Sequence, residues 1–276
     1  MLGPLVDVLF PKRCAGCGSG SWPFCPPCAS RLVPLAPPWC DRCGAPAPAS
    51  VQGCRDCPPS AISRARAPFG FDGPVRRAIH RLKFAGWRPV ADALSVAMAD
   101  VWDAAAVPDA VTWVPLSRRR LAARGYDQAR ALARALAPRI EVPAVPLLRR
   151  VADPGPQARR GGRARRDAMR GVFEGIGRPP ARVLLVDDVL TTGATAGACA
   201  EVLLDAGAAR VWLLTAARSA RSARSGPSGE PGDLYSSPGS RPGLWLPRGE
   251  VPRQSMPAAG EATHVSRPLV GEHGAV

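Results

Sequence analysis

The chain has 276 residues, a formal net charge of +15 and 46% hydrophobic residues, enough for one good core plus an accessory module. No run approaches the roughly 18 apolar residues of a membrane span, and strong basicity favours polyanions, such as phosphates or nucleic acid, as partners. Almost all of the positive charge is Arg, with Lys only at Lys12 and Lys83; compositional bias accounts for most of this, although clustered Arg gives planar, bidentate phosphate contacts.

Met1 to Phe10 is apolar and short, without a basic lead or a small-residue cleavage site. It is not a signal peptide, and residues 1–12 are expected to include a short helix packed on the first domain. A cytoplasmic location follows, where paired cysteines bind metal more often than they form disulfides. Between Cys14 and Cys57 lie four C-x-x-C pairs: Cys14/Cys17, Cys25/Cys28, Cys40/Cys43 and Cys54/Cys57. Two pairs complete a tetrahedral four-sulfur site. The order C-x-x-C-G then C-x-x-C occurs twice, which reads as two consecutive zinc ribbons over residues 13–60. Sequential ligation closes shorter loops than interleaving and is preferred. Thiolates also suit iron, and redox pairs are the weaker alternative without a thioredoxin-like context. A closed site of this kind is structural: it stabilises a segment with little apolar core of its own. Eight thiolates and two Zn²⁺ ions trim the formal charge but leave the chain strongly basic. Cys199, outside this module, reads as a small buried apolar residue.

Pro58-Pro59 marks the start of a second domain, 61–218. Val75, Ile79 and Leu82 share one helical face over Gly73 to Phe84, with Arg76, Arg77, His80, Arg81 and Lys83 on the solvated remainder. A second helix is expected over Pro89 to Ala105. Val111 to Val114 reads as a strand ended by Pro115. A loop from Leu116 to Gly125 with Arg118, Arg119, Arg120 and Arg124 follows, and then a helix from Tyr126 to Ala137. Cations thus gather at a strand's carboxyl end, where open α/β sheets bind ligands. The stretch Arg149 to Arg170 reads as a basic loop running into a helix near Arg163. A last strand is expected over Val211 to Thr215. Histidine acid–base chemistry is poorly supported, since only His80 lies in this domain.

The remaining stretch organises the domain. Val183 to Val186 reads as a strand buried on both faces, as in a parallel sheet. Asp187 and Asp188 follow at its expected end, then Thr191, Thr192, Gly193, Ala194 and Thr195, and a helix from Ala194 to Ala206. Threonine hydroxyls and backbone N–H groups at such a turn, helped by the helix N-terminus, suit a phosphate. Gly193 lets the backbone close around the anion. Asp187 and Asp188 can accept from sugar hydroxyls or hold magnesium through its waters. The bland reading is an acidic strand end before an ordinary threonine cap. Neither a P-loop nor a dinucleotide fingerprint is present. After Arg218 the composition turns to Ser, Gly, Pro and Arg without periodicity, so 219–276 is expected to be a disordered tail.

Taken together these segments resemble the ComF family of competence-associated proteins, whose core is a type I phosphoribosyltransferase domain. Arg182 to Thr195 is similar to the phosphoribosyl-pyrophosphate (PRPP) motif of those enzymes. Phe71-x-Gly73 through Ile79, Lys83 and Gly86 is similar to the segment that opens the domain. Val114-Pro115-Leu116-Ser117 with Arg124-Gly125-Tyr126-Asp127-Gln128, then Pro156-Gln157, Arg166, Arg170, Gly171 and Phe173, follow in the family's order. Asp127 stands where the family has Asn, and Ala168 where it often has Asn. The resemblance covers roughly residues 1–218, the zinc module included. It implies an α/β phosphoribosyltransferase-like parallel sheet flanked by helices. It also implies that Asp187 and Asp188 contact the ribose, that Thr191, Thr192, Gly193, Ala194 and Thr195 hold the 5′-phosphate, and that Leu116, Ser117 and Arg118 hold the pyrophosphate with Mg²⁺. Two functions stay open: a PRPP-responsive module contacting single-stranded DNA and DNA-processing partners during uptake, and an active transferase on an acceptor the sequence does not name.

Overall fold

The computed structural model describes residues 13–103, 105–152 and 171–219, all within one compact unit, Met1–Ser240. The expected helix over Met1 to Phe10, most of the arginine-rich stretch and the 220–276 tail lie outside the described residues.

Val183, Leu184, Leu185 and Val186 are fully buried in the middle of strand β6, Arg182–Leu190. A continuous apolar run suits a strand covered on both sides. It pairs in parallel with β3 (Ala110–Trp113) on one side and β7 (Arg210–Arg218) on the other. Two short strands, β1 (Arg64–Arg66) and β2 (Phe69–Gly70), pair in parallel with the far edge of β7. The fold is therefore mixed α/β with a parallel central sheet flanked by helices, preceded by the cysteine module. Helix α6 (Ala194–Asp205) follows β6 and packs Cys199, Ala200 and Leu203 against Val183, Leu185, Val211 and Leu213. Strand alternation sends Leu184 and Leu214 to the opposite face, where α3 (Pro89–Val101) and α5 (Gln128–Leu136) pack on the sheet. Each such fully buried aliphatic side chain stabilises the fold by about 1.5–3 kcal/mol. Cys199 is fully buried, as a small apolar residue should be.

Helix α2 spans Gly73–Phe84, as its periodicity predicts, with Asp72 capping Gly73 and Val75, Ile79 and Leu82 all buried. Other elements differ from expectation. The second helix, α3, stops at Val101. The arginine-bearing loop after β3 is itself a helix, α4 (Arg118–Arg124), because Ser117 caps it and Gly125 ends it at φ 71°. The last strand runs from Arg210 to Arg218, beyond both ends of the expected Val211 to Thr215. Strand β4 (Leu148–Arg150) opens the arginine-rich stretch and pairs antiparallel with β5 (Phe173–Gly175), so that stretch leaves and returns at one place.

The cysteine module, which carries the short helix α1 (Pro26–Ala29), docks on the sheet through arginines aimed at backbone carbonyls. Arg77 donates to Gly16 and Arg81 to Ala15, so these two tie the helix to the cysteine module, although Arg77 also stays exposed. Arg42 donates to the carbonyls of Pro58, Pro59 and Ile62. Arg66 reaches Asp41, and Arg218 reaches Cys43 and Asp56. The two prolines that read as a boundary then press on α6. A Cβ added at Gly197 would lie 2.6 Å from Pro59 Cγ, and one at Gly193 would lie 2.7 Å from Pro58 Cβ. Gly197→Val should therefore lower stability by about 1–3 kcal/mol through overpacking, and thermal denaturation checks it.

Candidate functional site

The two cysteine clusters form as the sequential pairing predicts: Cys14, Cys17, Cys25 and Cys28 in one, Cys40, Cys43, Cys54 and Cys57 in the other. Sulfur–sulfur distances are 3.6 Å for Cys17–Cys25, 3.7 Å for Cys40–Cys57, 3.5 Å for Cys43–Cys54 and 3.9 Å for Cys54–Cys57. A tetrahedron with Zn–S bonds of about 2.3 Å has edges of about 3.8 Å. Backbone N–H groups of Cys17 and Cys25 point at Cys14 Sγ, and that of Cys54 at Cys57 Sγ. Burial, then the neighbouring thiols, pushes Cys28 up to about 12; burial raises Cys43 too. A divalent cation is what lets all four sulfurs of a cluster carry charge together. Both sites fit structural zinc, and a closed four-sulfur site leaves no position for substrate.

The second site stands at the carboxyl edge of the sheet. Because β3 and β6 are parallel neighbours, with Trp113 opposite Val186, the chain beyond Trp113 and the chain beyond Val186 emerge side by side. The acidic pair is not past the strand but inside it: β6 continues to Leu190, with Asp187 paired to Thr215. Asp188 is buried and has both oxygens engaged. Lys83 Nζ lies 2.6 Å from Oδ1 and Gln128 Nε2 3.0 Å from Oδ2. Arg124 extends this chain to Gln128 Oε1 at 2.9 Å. Helices α2, α4 and α5 are thus tied to one carboxylate.

Asp187, partly buried beside it, accepts from the Asp188 N–H at 2.8 Å. Burial first, and then the Asp188 charge, pushes its carboxyl up to about 8. A group whose folded pKa is raised keeps its proton in the native state while the unfolded chain has lost it. Its stabilising effect is complete below about pH 4 and is lost as pH rises to about 8. Asp187→Asn should therefore be more stable than the parent at pH 8, by a few kcal/mol at most. The gap should close toward pH 4, as urea unfolding at several pH values will register.

The two expected phosphate loops are built differently. Gly193 has φ 71° and precedes α6, and Thr192 Oγ1 accepts from the Ala194 N–H. Thr191 is exposed, while Thr192 and Thr195 are half-buried. First-turn N–H groups, Thr195 among them, have no intrahelical partner. In the other loop Ser117 is buried and its hydroxyl caps α4 by accepting from Arg120. Leu116 donates its N–H to Asp127 Oδ2, and Arg118 is exposed.

Asp127, set aside in the sequence as a departure from a motif, is the clamp of this loop. One oxygen caps Ala129 and Arg130 and the other holds Leu116. Burial raises its carboxyl above the usual range, opposed by those N–H bonds. An Asp immediately before a helical run was the available signal. Lys83 and Gln128 carried no such signal, since their contacts span 105 and 60 residues of chain.

Residues 5–58 match the double zinc ribbon domain family. No curated protein matches the chain. Among the described residues, no helix is long and apolar enough to cross a membrane.

Proposed function

We propose that residues 61–218 form a PRPP-binding domain of the type I phosphoribosyltransferase kind, preceded by the ribbon module at 13–60 and followed by a tail at 219–276, as in the ComF family that the sequence resembles. The observation that carries this reading is the parallel pairing of β3 with β6, since it brings both loops to one edge. Ribose hydroxyls meet Asp187 and a fixed Asp188, whose oxygens retain lone pairs beyond those used by Lys83 and Gln128. Thr191, Thr192, Thr195 and the amides of the Gly193–Ala194 turn receive the 5′-phosphate. Leu116, Ser117 and Arg118 border the pyrophosphate; the Ser117 hydroxyl, which accepts from the Arg120 N–H, keeps its own O–H to donate to the anion, whereas the Leu116 N–H is already given to Asp127. Asp187 has an oxygen to spare, and once its proton is displaced by the ion, one carboxylate plus substrate phosphates suits Mg²⁺; the ion would offset charge on the departing pyrophosphate.

The same resemblance ties the protein to single-stranded DNA handling during uptake, and the exposed Arg118, Arg119 and Arg120 suit phosphate contact. DNA affinity carried by them should fall steeply with salt. The direct test is titration of Mg²⁺–PRPP into the parent protein and into Asp187→Ala and Thr192→Val. Binding by the parent, weakened at least tenfold in both variants, is expected; no binding by the parent refutes the proposal.

A further inference from the structure

Seven of the eight cysteines in the two clusters are buried or half-buried, and Cys17 alone is exposed. Its sulfur lies 3.6 Å from that of Cys25. The second cluster presents no exposed cysteine, and the buried Arg66 and Arg218 pack beside it. The turn that carries Cys17 rests on α2. Arg77 and Arg81 donate to the carbonyls of Gly16 and Ala15 at 2.8 and 2.6 Å. A Cβ added at Gly16 would lie 2.9 Å from both Cys28 Sγ and Pro74 Cβ. The same helix carries Lys83, whose ammonium is 2.6 Å from Asp188.

We propose that Cys17 is an oxidation site for peroxides, that Cys25 resolves it, and that this cycle sets the hold of the first ribbon on α2. An accessible thiolate beside a second thiolate is the arrangement that peroxides oxidise. The Cys17 thiolate attacks one peroxide oxygen: an S–O bond forms, the O–O bond breaks and hydroxide leaves, the sulfur giving up two electrons. The Cys25 thiolate then attacks the sulfenic sulfur, and the disulfide forms as the S–O bond breaks and a second hydroxide leaves. Two thiolates and one peroxide thus become one disulfide and two hydroxides. Only Cys14 and Cys28 then remain as thiolates of a site that needs four ligands, so the first cluster no longer holds zinc. The turn under Arg77 and Arg81 loosens with it. A thiol reductant and fresh zinc reverse the change.

The test treats the full, zinc-loaded chain with hydrogen peroxide. Zinc is followed with an indicator, sulfenic acid with dimedone and disulfides by mass spectrometry. One ion should leave about tenfold faster than the other, since only one cluster has an accessible thiolate. The dimedone adduct should map to Cys17 and the disulfide to Cys17–Cys25. Amide exchange over Gly73–Phe84 should quicken as that ion leaves. Cys17→His, which keeps a zinc ligand but no thiol, should retain both ions at the same peroxide dose. If this variant loads only one ion, the adduct and disulfide maps of the parent decide alone. No release, loss of both ions at one rate, first oxidation at another cysteine, or equally rapid loss from a fully loaded Cys17→His overturns the site. A disulfide from Cys17 to any other cysteine overturns the role of Cys25. Unchanged exchange in α2 after the first ion has left overturns the link to the helix.

Discussion

Asp188→Ala should lower stability by about 3–5 kcal/mol, the cost of breaking a buried ion pair by removing one partner. The Asp188 side chain is 8% exposed and that of Lys83 is 20% exposed, with 2.6 Å between their charged atoms. Removing the carboxylate strands the ammonium and deprives the buried Gln128 amide of its acceptor at 3.0 Å. An unsatisfied buried polar group adds its own desolvation penalty. Lys83→Met combined with Asp188→Leu should recover most of the loss, because neither charge then remains. Urea denaturation of Lys83→Met, Asp188→Leu and the variant that combines them closes the cycle, with Asp188→Ala measured beside them. A loss below about 1 kcal/mol would mean that the pair behaves as a screened surface contact.

Removing zinc is expected to be the larger perturbation. Apparent zinc affinities in small cysteine sites are on the order of 10 kcal/mol, comparable to the whole stability of a typical domain. Four thiols 3.5–3.9 Å apart lack a common partner once the ion is gone, so the ribbons should unfold. The second cluster matters more to the sheet than the first, because Arg42, Arg66, Arg218 and the Pro58–Pro59 contact all converge on it. Cys40→Ser should therefore depress the melting temperature further than Cys14→Ser. Titration with a thiol reagent, monitored with a zinc indicator, should release two ions per chain. Release of none would sink the assignment of both clusters.

How much of this was legible in the sequence depended on range. The cysteine spacings are local, and both clusters could be read from them. Helix α2 and the core of β6 were equally plain, because Val75, Ile79 and Leu82, and Val183 to Val186, declare their periodicity within one element. Where β6 ends was not legible. Asp187 and Asp188 look like a strand terminus, yet pairing with β7 carries the strand through them to Leu190. The helix α4 was hidden by its three consecutive arginines, whose charge reads as loop although Ser117 and Gly125 supply its caps. The edge strands β1 and β2 are too short to show a period at all. The contacts that fix Asp188 depend on tertiary packing, and no local pattern announces them.

The arginines that hold the ribbons also bear on the charge of the molecule. A zinc ion with four thiolates carries a net double negative charge, so each cluster is an internal dianion. Arg66 and Arg218, both more than nine-tenths buried, interact electrostatically with the second cluster, and Arg77 and Arg81 cap the first. Arg66 and Arg218 thus act as counter-ions to the second cluster. The formal +15 therefore overstates the field that a nucleic acid would meet. The slope of affinity against salt should count only outward arginines such as Arg118, Arg119 and Arg120.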